Sequence, residues 1–291
     1  MTDQPGHLVS TDWLDRQLGD PALRILDASW YLPGMGRDAK AEYLSGHIPG
    51  AVFTDIDAIS DQTSPLPHMA PSAEDFAQHA AELGLNGARW IVVYDGAGLF
   101  SAARIWWLLR LMGLGNVFVL DGGLPKWRAE GRRLEASDTA ATFASAAPQS
   151  AQASYAIDAA LIRDADQVVE ASRTGEAQIL DARAAPRFKG EAAEPRPGLR
   201  AGHIPGARNL PFGEVLNADG TMKSPTDLHT VFAAAGVDLA RPIITSCGSG
   251  VTAAVLSLAL ATMGHQDNAL YDGSWAEWGG RQDLPLATGD A

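Results

Sequence analysis

Apolar positions along this chain fall into two kinds of run, and both kinds occur in each half. "RILDA" from Arg24, "WIVVYD" from Trp90 and "NVFVLDG" from Asn116 are short, β-branched and closed by polar or glycine residues, as strands buried on both faces are. Between them lie stretches such as "SAEDFAQHAAELG" from Ser72, of helical length and spacing. Strands alternating with helices predict βαβ units around a parallel sheet. In the second half "PIITS" from Pro242 reads as a strand, and Val251 to Met263 as a helix ended by Gly264. The join between them is "CGSG".

The pattern repeats. "RILDASW" around Asp27 answers to "QILDARA" around Asp181, "GHIPGA" from Gly46 to "GHIPGA" from Gly202, and "LDGGLPKW" from Leu120 to "YDGSWAEW" from Tyr271, at spacings of 154, 156 and 151 residues. "RWIVVYDGAGLFSAARIWWLLRLMG" likewise matches "RPIITSCGSGVTAAVLSLALATMG", with Asp95 in the place of Cys247. Residues 132–154, rich in Ala, Ser and Thr without apolar periodicity, read as a linker between a domain at 1–131 and another at 155–291. Each is expected to be a small doubly wound α/β domain. The scaffold is kept in both halves and the thiol in one, so one active site per chain is expected, in the second half.

Cys247 is the sole cysteine of 291 residues. A lone cysteine is by default a small buried hydrophobe. Its place at the carboxyl end of a strand and ahead of a helix changes that, because ligands of open α/β sheets bind there and a helix amino terminus stabilises an anion. Gly248 and Gly250 let the backbone curl with its amides facing inward, which suits a charged sulfur species.

Composition narrows the classes. A net charge of −13 argues against nucleic acid or an anionic membrane as partner. One cysteine excludes an internal disulfide and zinc sites built on several cysteines, and no metal is expected. The amino terminus has neither signal-peptide nor transit-peptide character, so a cytoplasmic location is expected. An exposed thiol could link two chains, but nothing requires it, and a monomer is the simpler expectation. "GHIPGA" recurs in the half without a cysteine, so it reads as a structural turn. "DGAGLFS" has Ser101 where a dinucleotide fingerprint needs its third glycine, so no nicotinamide is implied.

Taken together, the doubled "GHIPGA", "CGSGVTA", "DASWYLP" and "YDGSWAEW" resemble the tandem-domain sulfurtransferases, most closely their 3-mercaptopyruvate branch, from about Val9 to Trp278. The resemblance implies two rhodanese-type domains and a sulfane sulfur carried on Cys247. The carrier is a covalent persulfide, and no cofactor is implied. The six-residue loop 247–252, with Gly248, Ser249, Gly250, Val251 and Thr252, has the family's length, and Ala253 stands where related phosphatases commonly have arginine. Thiosulfate-using rhodaneses typically carry basic residues in this loop. Neutral Gly248 and Ser249 resemble the mercaptopyruvate branch instead.

Mercaptopyruvate carries a carboxylate and a keto group, which call for planar bidentate donors. Arg187 in "PRF" and Arg196 in "EPRPG" match the family's two substrate-binding arginines, whereas Arg183 and Arg200 match no substrate role and are left as structural or surface residues. Asp57 and His68 match the family's proposed Ser–His–Asp relay, with Ser249 as its third member. The implied reaction is a double displacement: sulfur passes from mercaptopyruvate to Cys247 with release of pyruvate, then to thioredoxin, a small thiol or cyanide. The rivals are a thiosulfate:cyanide sulfurtransferase and a non-catalytic persulfide carrier.

Overall fold

The computed structural model describes residues 6–32, 34–137 and 154–290. Of the expected linker, residues 138–153 lie outside the described residues.

Two five-stranded, wholly parallel sheets account for the two halves. The first is built from β1 (Leu8–Val9), β2 (Leu23–Asp27), β3 (Ala51–Phe53), β4 (Trp90–Tyr94) and β5 (Val117–Leu120), in the order β1-β5-β4-β2-β3. The second repeats that order with β6 (Ile162–Arg163), β7 (Gln178–Asp181), β8 (Arg208–Asn209), β9 (Ile243–Ser246) and β10 (Asn268–Tyr271), as β6-β10-β9-β7-β8. The runs "WIVVY" and "IITS" become the central strands: β4 lies between β2 and β5, and β9 between β7 and β10. The helix after β9, Ala253–Thr262, is buried from Ala253 to Leu260, which is why that stretch contains only small and aliphatic residues with one serine. That serine is satisfied internally, Ser257 Oγ lying 2.8 Å from Thr245 Oγ1.

This strand order fixes where a ligand can bind. The chain leaves β7 toward β8 on one side and β9 toward β10 on the other, so the crevice opens between the carboxyl ends of β7 and β9. There Ala182 N donates to Ser246 O at 2.8 Å, setting Arg183 beside the loop that begins at Cys247.

By contacts the chain divides into two compact units. One comprises Met1–Asp61, Pro71–Asp158 and Ala218–Met222; the other comprises Gln62–Ala70, Ala159–Asn217 and Lys223–Ala291. Each unit therefore includes a short segment from the other half of the sequence, which sequence periodicity could not show. Residues 132–137, expected in the linker, are tied to the first unit: Glu135 and His47 exchange backbone bonds of 2.9 Å, and Ser137 N donates to Leu44 O at 3.0 Å. Tyr155, expected to open the second domain, packs edge-on against Phe76 of the first unit. Both cores are aromatic, around Tyr43 and Trp127 in the first unit and around Phe188, Trp275 and Trp278 in the second.

"GHIPGA" is a structural turn in both units. His47 stacks on Tyr43 and its Nδ1 lies 2.8 Å from Tyr43 O; His203 stacks on Phe188 with Nδ1 2.9 Å from Phe188 O. A carbonyl only accepts, so each Nδ1 carries the proton. No helix among the described residues is long and apolar enough to cross a membrane.

Candidate active site

Cys247 follows the last residue of β9 and is 2% exposed. The expectation of an exposed thiol able to link two chains is therefore corrected: the central strand delivers the side chain into the interior. Its backbone is held by the turn after β10. Trp275 N donates to Cys247 O at 2.9 Å, Ala276 N donates to Gly248 O at 2.9 Å, and Cys247 N donates to Ser274 Oγ at 3.3 Å. Ser274 is fully buried, has φ 49°, and its hydroxyl donates to Tyr271 O at 2.8 Å. The sequence reading missed Ser274. The available signal was its counterpart in "DGG", Gly123, which also has positive φ.

The loop itself bends at Gly250, φ 77°, before the helix starts at Ala253. Ser249 and Val251 are buried, Gly248 and Thr252 half-buried.

The first unit displays what such a loop holds. Asp95, aligned with Cys247, accepts from Ala97 N at 2.8 Å through Oδ1, and from Phe100 N, Ser101 N and Ala102 N at 2.8, 2.9 and 2.8 Å through Oδ2. Four amides converge on one buried anion. In register, the corresponding amides of the second loop belong to Ser249, Thr252, Ala253 and Ala254.

Both candidate arginines reach this loop. A Cβ added to Gly248 would lie 3.1 Å from Arg187 Nη2 and 4.0 Å from Arg196 Nη1. Arg187 sits in the short helix Ala185–Lys189 and is gripped by Glu194, with Nη2 to Oε2 at 2.5 Å and Nε to Oε1 at 3.3 Å. Glu194 Oε1 also accepts from Arg183 Nη1 at 2.8 Å. Arg183 donates further to Asp181 Oδ2, from Nη2 at 2.7 Å, and to Gly202 O at 2.9 Å, while its guanidinium lies 4.3 Å from the centre of the Trp275 ring. Burial works to discharge Arg183, but Asp181 and Glu194 outweigh it and hold the pKa above the ordinary guanidinium value. Arg183 is thus no surface residue. Arg200 is structural, donating to the carbonyls of Trp278, Gly279 and Leu284 at 3.0, 3.2 and 3.0 Å.

Of the relay residues, two meet within one unit. His68 lies in Gln62–Ala70, which packs with the second unit, and its Nδ1 is 3.0 Å from Ser249 Oγ. His68 is 4% exposed with φ 62°, a conformation costing about 1–3 kcal/mol for a residue with a side chain. Its segment is fastened by Ala70 N, which donates to Asp272 Oδ2 at 2.7 Å. Asp57 belongs to the first unit, in the helix Ile56–Ile59, where its Oδ2 accepts from Trp30 Nε1 at 3.1 Å.

Known proteins place this geometry. The model of the rhodanese-like domain matches residues 10–130 and 164–281. A 3-mercaptopyruvate sulfurtransferase of Escherichia coli (strain K12) is 48% identical over 279 residues, 96% of each chain. A mitochondrial thiosulfate/3-mercaptopyruvate sulfurtransferase of Arabidopsis thaliana is 43% identical over 299 residues, 98% of this chain and 78% of its own. Among solved structures, SseA from Escherichia coli, described as a 3-mercaptopyruvate sulfotransferase of "rhodanese" fold, is similar with a TM-score of 0.81 at 43% identity, over 93% of this chain and 99% of that one.

Proposed function

The chain belongs to the rhodanese family, and we propose that it moves the sulfur of 3-mercaptopyruvate to a thiol acceptor or cyanide through a persulfide on Cys247. In the first step the Cys247 thiolate attacks the substrate sulfur and an S–S bond forms. The C–S bond breaks, its electron pair stays on carbon as the enolate of pyruvate, and protonation there gives pyruvate. An acceptor thiolate then attacks the outer sulfur, and the S–S bond breaks to return the Cys247 thiolate.

The observation that carries this reading is the set of four amides around the Asp95 carboxylate, whose sequence counterparts lie in the loop that begins at Cys247. A backbone built to hold an anion at that point suits a persulfide sulfur. Arg187 and Arg196, flanking Gly248, are assigned to the carboxylate and carbonyl of the donor. Ser249 and His68 form a hydrogen-bonded pair at the loop and are assigned to handling the enolate proton. No resident cofactor enters the scheme. The proposed acceptor is thioredoxin or a small thiol, and the proposed setting is a monomer in the cytoplasm.

Thiosulfate is the second donor reading, favoured by the double name of the Arabidopsis relative. The loop's neutral Gly248 and Ser249 weigh against a dianion. Intact-mass measurement after donor addition tests the scheme, with a gain of one sulfur expected in the wild type and none in Cys247→Ser. Multiple-turnover pyruvate release excludes a mere persulfide carrier, and a higher kcat/KM on thiosulfate than on mercaptopyruvate would overturn the donor assignment.

A further inference from the structure

Glu194 takes no part in the chemistry above, yet it is buried and held by two arginines beside the loop. Its side chain is 2% exposed and bridges two guanidiniums, Arg183 at 0% and Arg187 at 21%. It engages the Nε and Nη2 edge of Arg187. The edge formed by Nη1 and the second proton of Nη2 is left, and Nη2 is the atom nearest to where a Gly248 side chain would stand. Glu194 thereby orients a two-pronged donor at the loop.

The charges matter as much as the aim. Arg183 and Arg187 are matched by Asp181 and Glu194, so these four groups are neutral as a set. Beside Arg196, the other guanidinium at Gly248, this set adds hydrogen bonds without adding net positive charge. Such a wall suits one carboxylate beside an uncharged carbonyl better than a compact dianion, whose desolvation requires net positive charge nearby.

We propose that Glu194 is a positioning residue that sets donor charge: by fixing and neutralising Arg187 it makes the pocket select the monoanion 3-mercaptopyruvate over the dianion thiosulfate. This rests on the sulfurtransferase reading of the site.

Glu194→Gln retains the shape and an acceptor oxygen and removes the charge. Its ratio of kcat/KM, thiosulfate over mercaptopyruvate, is expected to rise by about tenfold, the low end of what one adjacent charge does to an ionisation equilibrium. Glu194→Asp keeps the charge and loosens the grip, and is expected to raise the KM for mercaptopyruvate while leaving the ratio within about twofold of wild type. A ratio unchanged in Glu194→Gln, or shifted equally in both variants, overturns the proposal. One arm needs no variant: on the wild-type protein pyruvate is expected to compete with the donor more strongly than sulfate, and equal or better competition by sulfate overturns it. A wild-type preference for thiosulfate overturns the donor reading itself and this proposal with it. The proposal fails alone when the wild type prefers mercaptopyruvate and the Glu194→Gln ratio does not move.

Discussion

Gly248 is the position where the smallest side chain has the largest consequence. Its φ is not in the left-handed region, so backbone freedom is not what requires glycine. The requirement is space, because a Cβ would stand 3.1 Å from Arg187 Nη2, and Arg187 cannot swing aside without leaving Glu194. Gly248→Ala is expected to raise the KM for mercaptopyruvate about tenfold, the scale of one impaired charge-assisted hydrogen bond, with thermal stability little changed. Steady-state pyruvate release and a melting curve check it, and an unchanged KM would remove Gly248 from the donor site. Cys247 stands out in the sequence through local strand and turn signals, whereas Arg187 and Arg196 stand out only through the family resemblance. Glu194, Arg183 and Ser274 do not stand out there, because each matters through the side chains that the fold turns toward it or through a backbone angle. Arg183 reads as one more arginine in a basic loop until β7 is placed beside β9.

At the scale of elements, the repeated "DG" aspartates act as fasteners. Asp272 Oδ2 accepts from Ala70 N at 2.7 Å in the second unit, and Asp121 Oδ1 accepts from Met222 N at 2.7 Å in the first. Each holds a segment contributed by the other half of the sequence. Asp272→Ala is expected to speed amide hydrogen exchange within Gln62–Ala70, and Asp121→Ala within Ala218–Met222, each without loosening the other segment. Exchange that rises across both units alike would mean a general loss of structure. The alternation of strands and helices and its duplication were legible from period and repeat, but these exchanged segments carry no periodicity and so left no trace. The edge of the first sheet carries a pH dependence. His7, whose carbonyl accepts from Val119 N at 2.9 Å next to β1, has its pKa lowered to about 4, chiefly by burial and then by Arg110. The unfolded chain takes up this proton near 6.5, so the folded state loses stability as pH falls from there toward 4. Melting curves across that window are expected to fall more steeply for wild type than for His7→Gln, and parallel curves would contradict it.

At the scale of the whole molecule, both halves keep the fold and one keeps the thiol, and the first loop is occupied in two ways. Asp95 already fills the anion cradle of the first loop with its own carboxylate. Gly96, the counterpart of Gly248, has its side-chain position occupied by the Tyr31 hydroxyl, which donates to Glu42 at 2.8 Å, with Arg37 Nη2 beside it. The donor's place over the loop is therefore closed as well as the anion's. Restoring the thiol alone should not restore chemistry. Asp95→Cys is expected to lower thermal stability, since amides that shared a carboxylate lose their acceptor at about 1–3 kcal/mol for each buried donor. It is also expected to load one sulfur per chain from mercaptopyruvate, the same as wild type, by intact mass. Two sulfurs on Asp95→Cys, the second absent when Cys247 alone is present, would show that the first loop still admits a donor and that Asp95 by itself had silenced it.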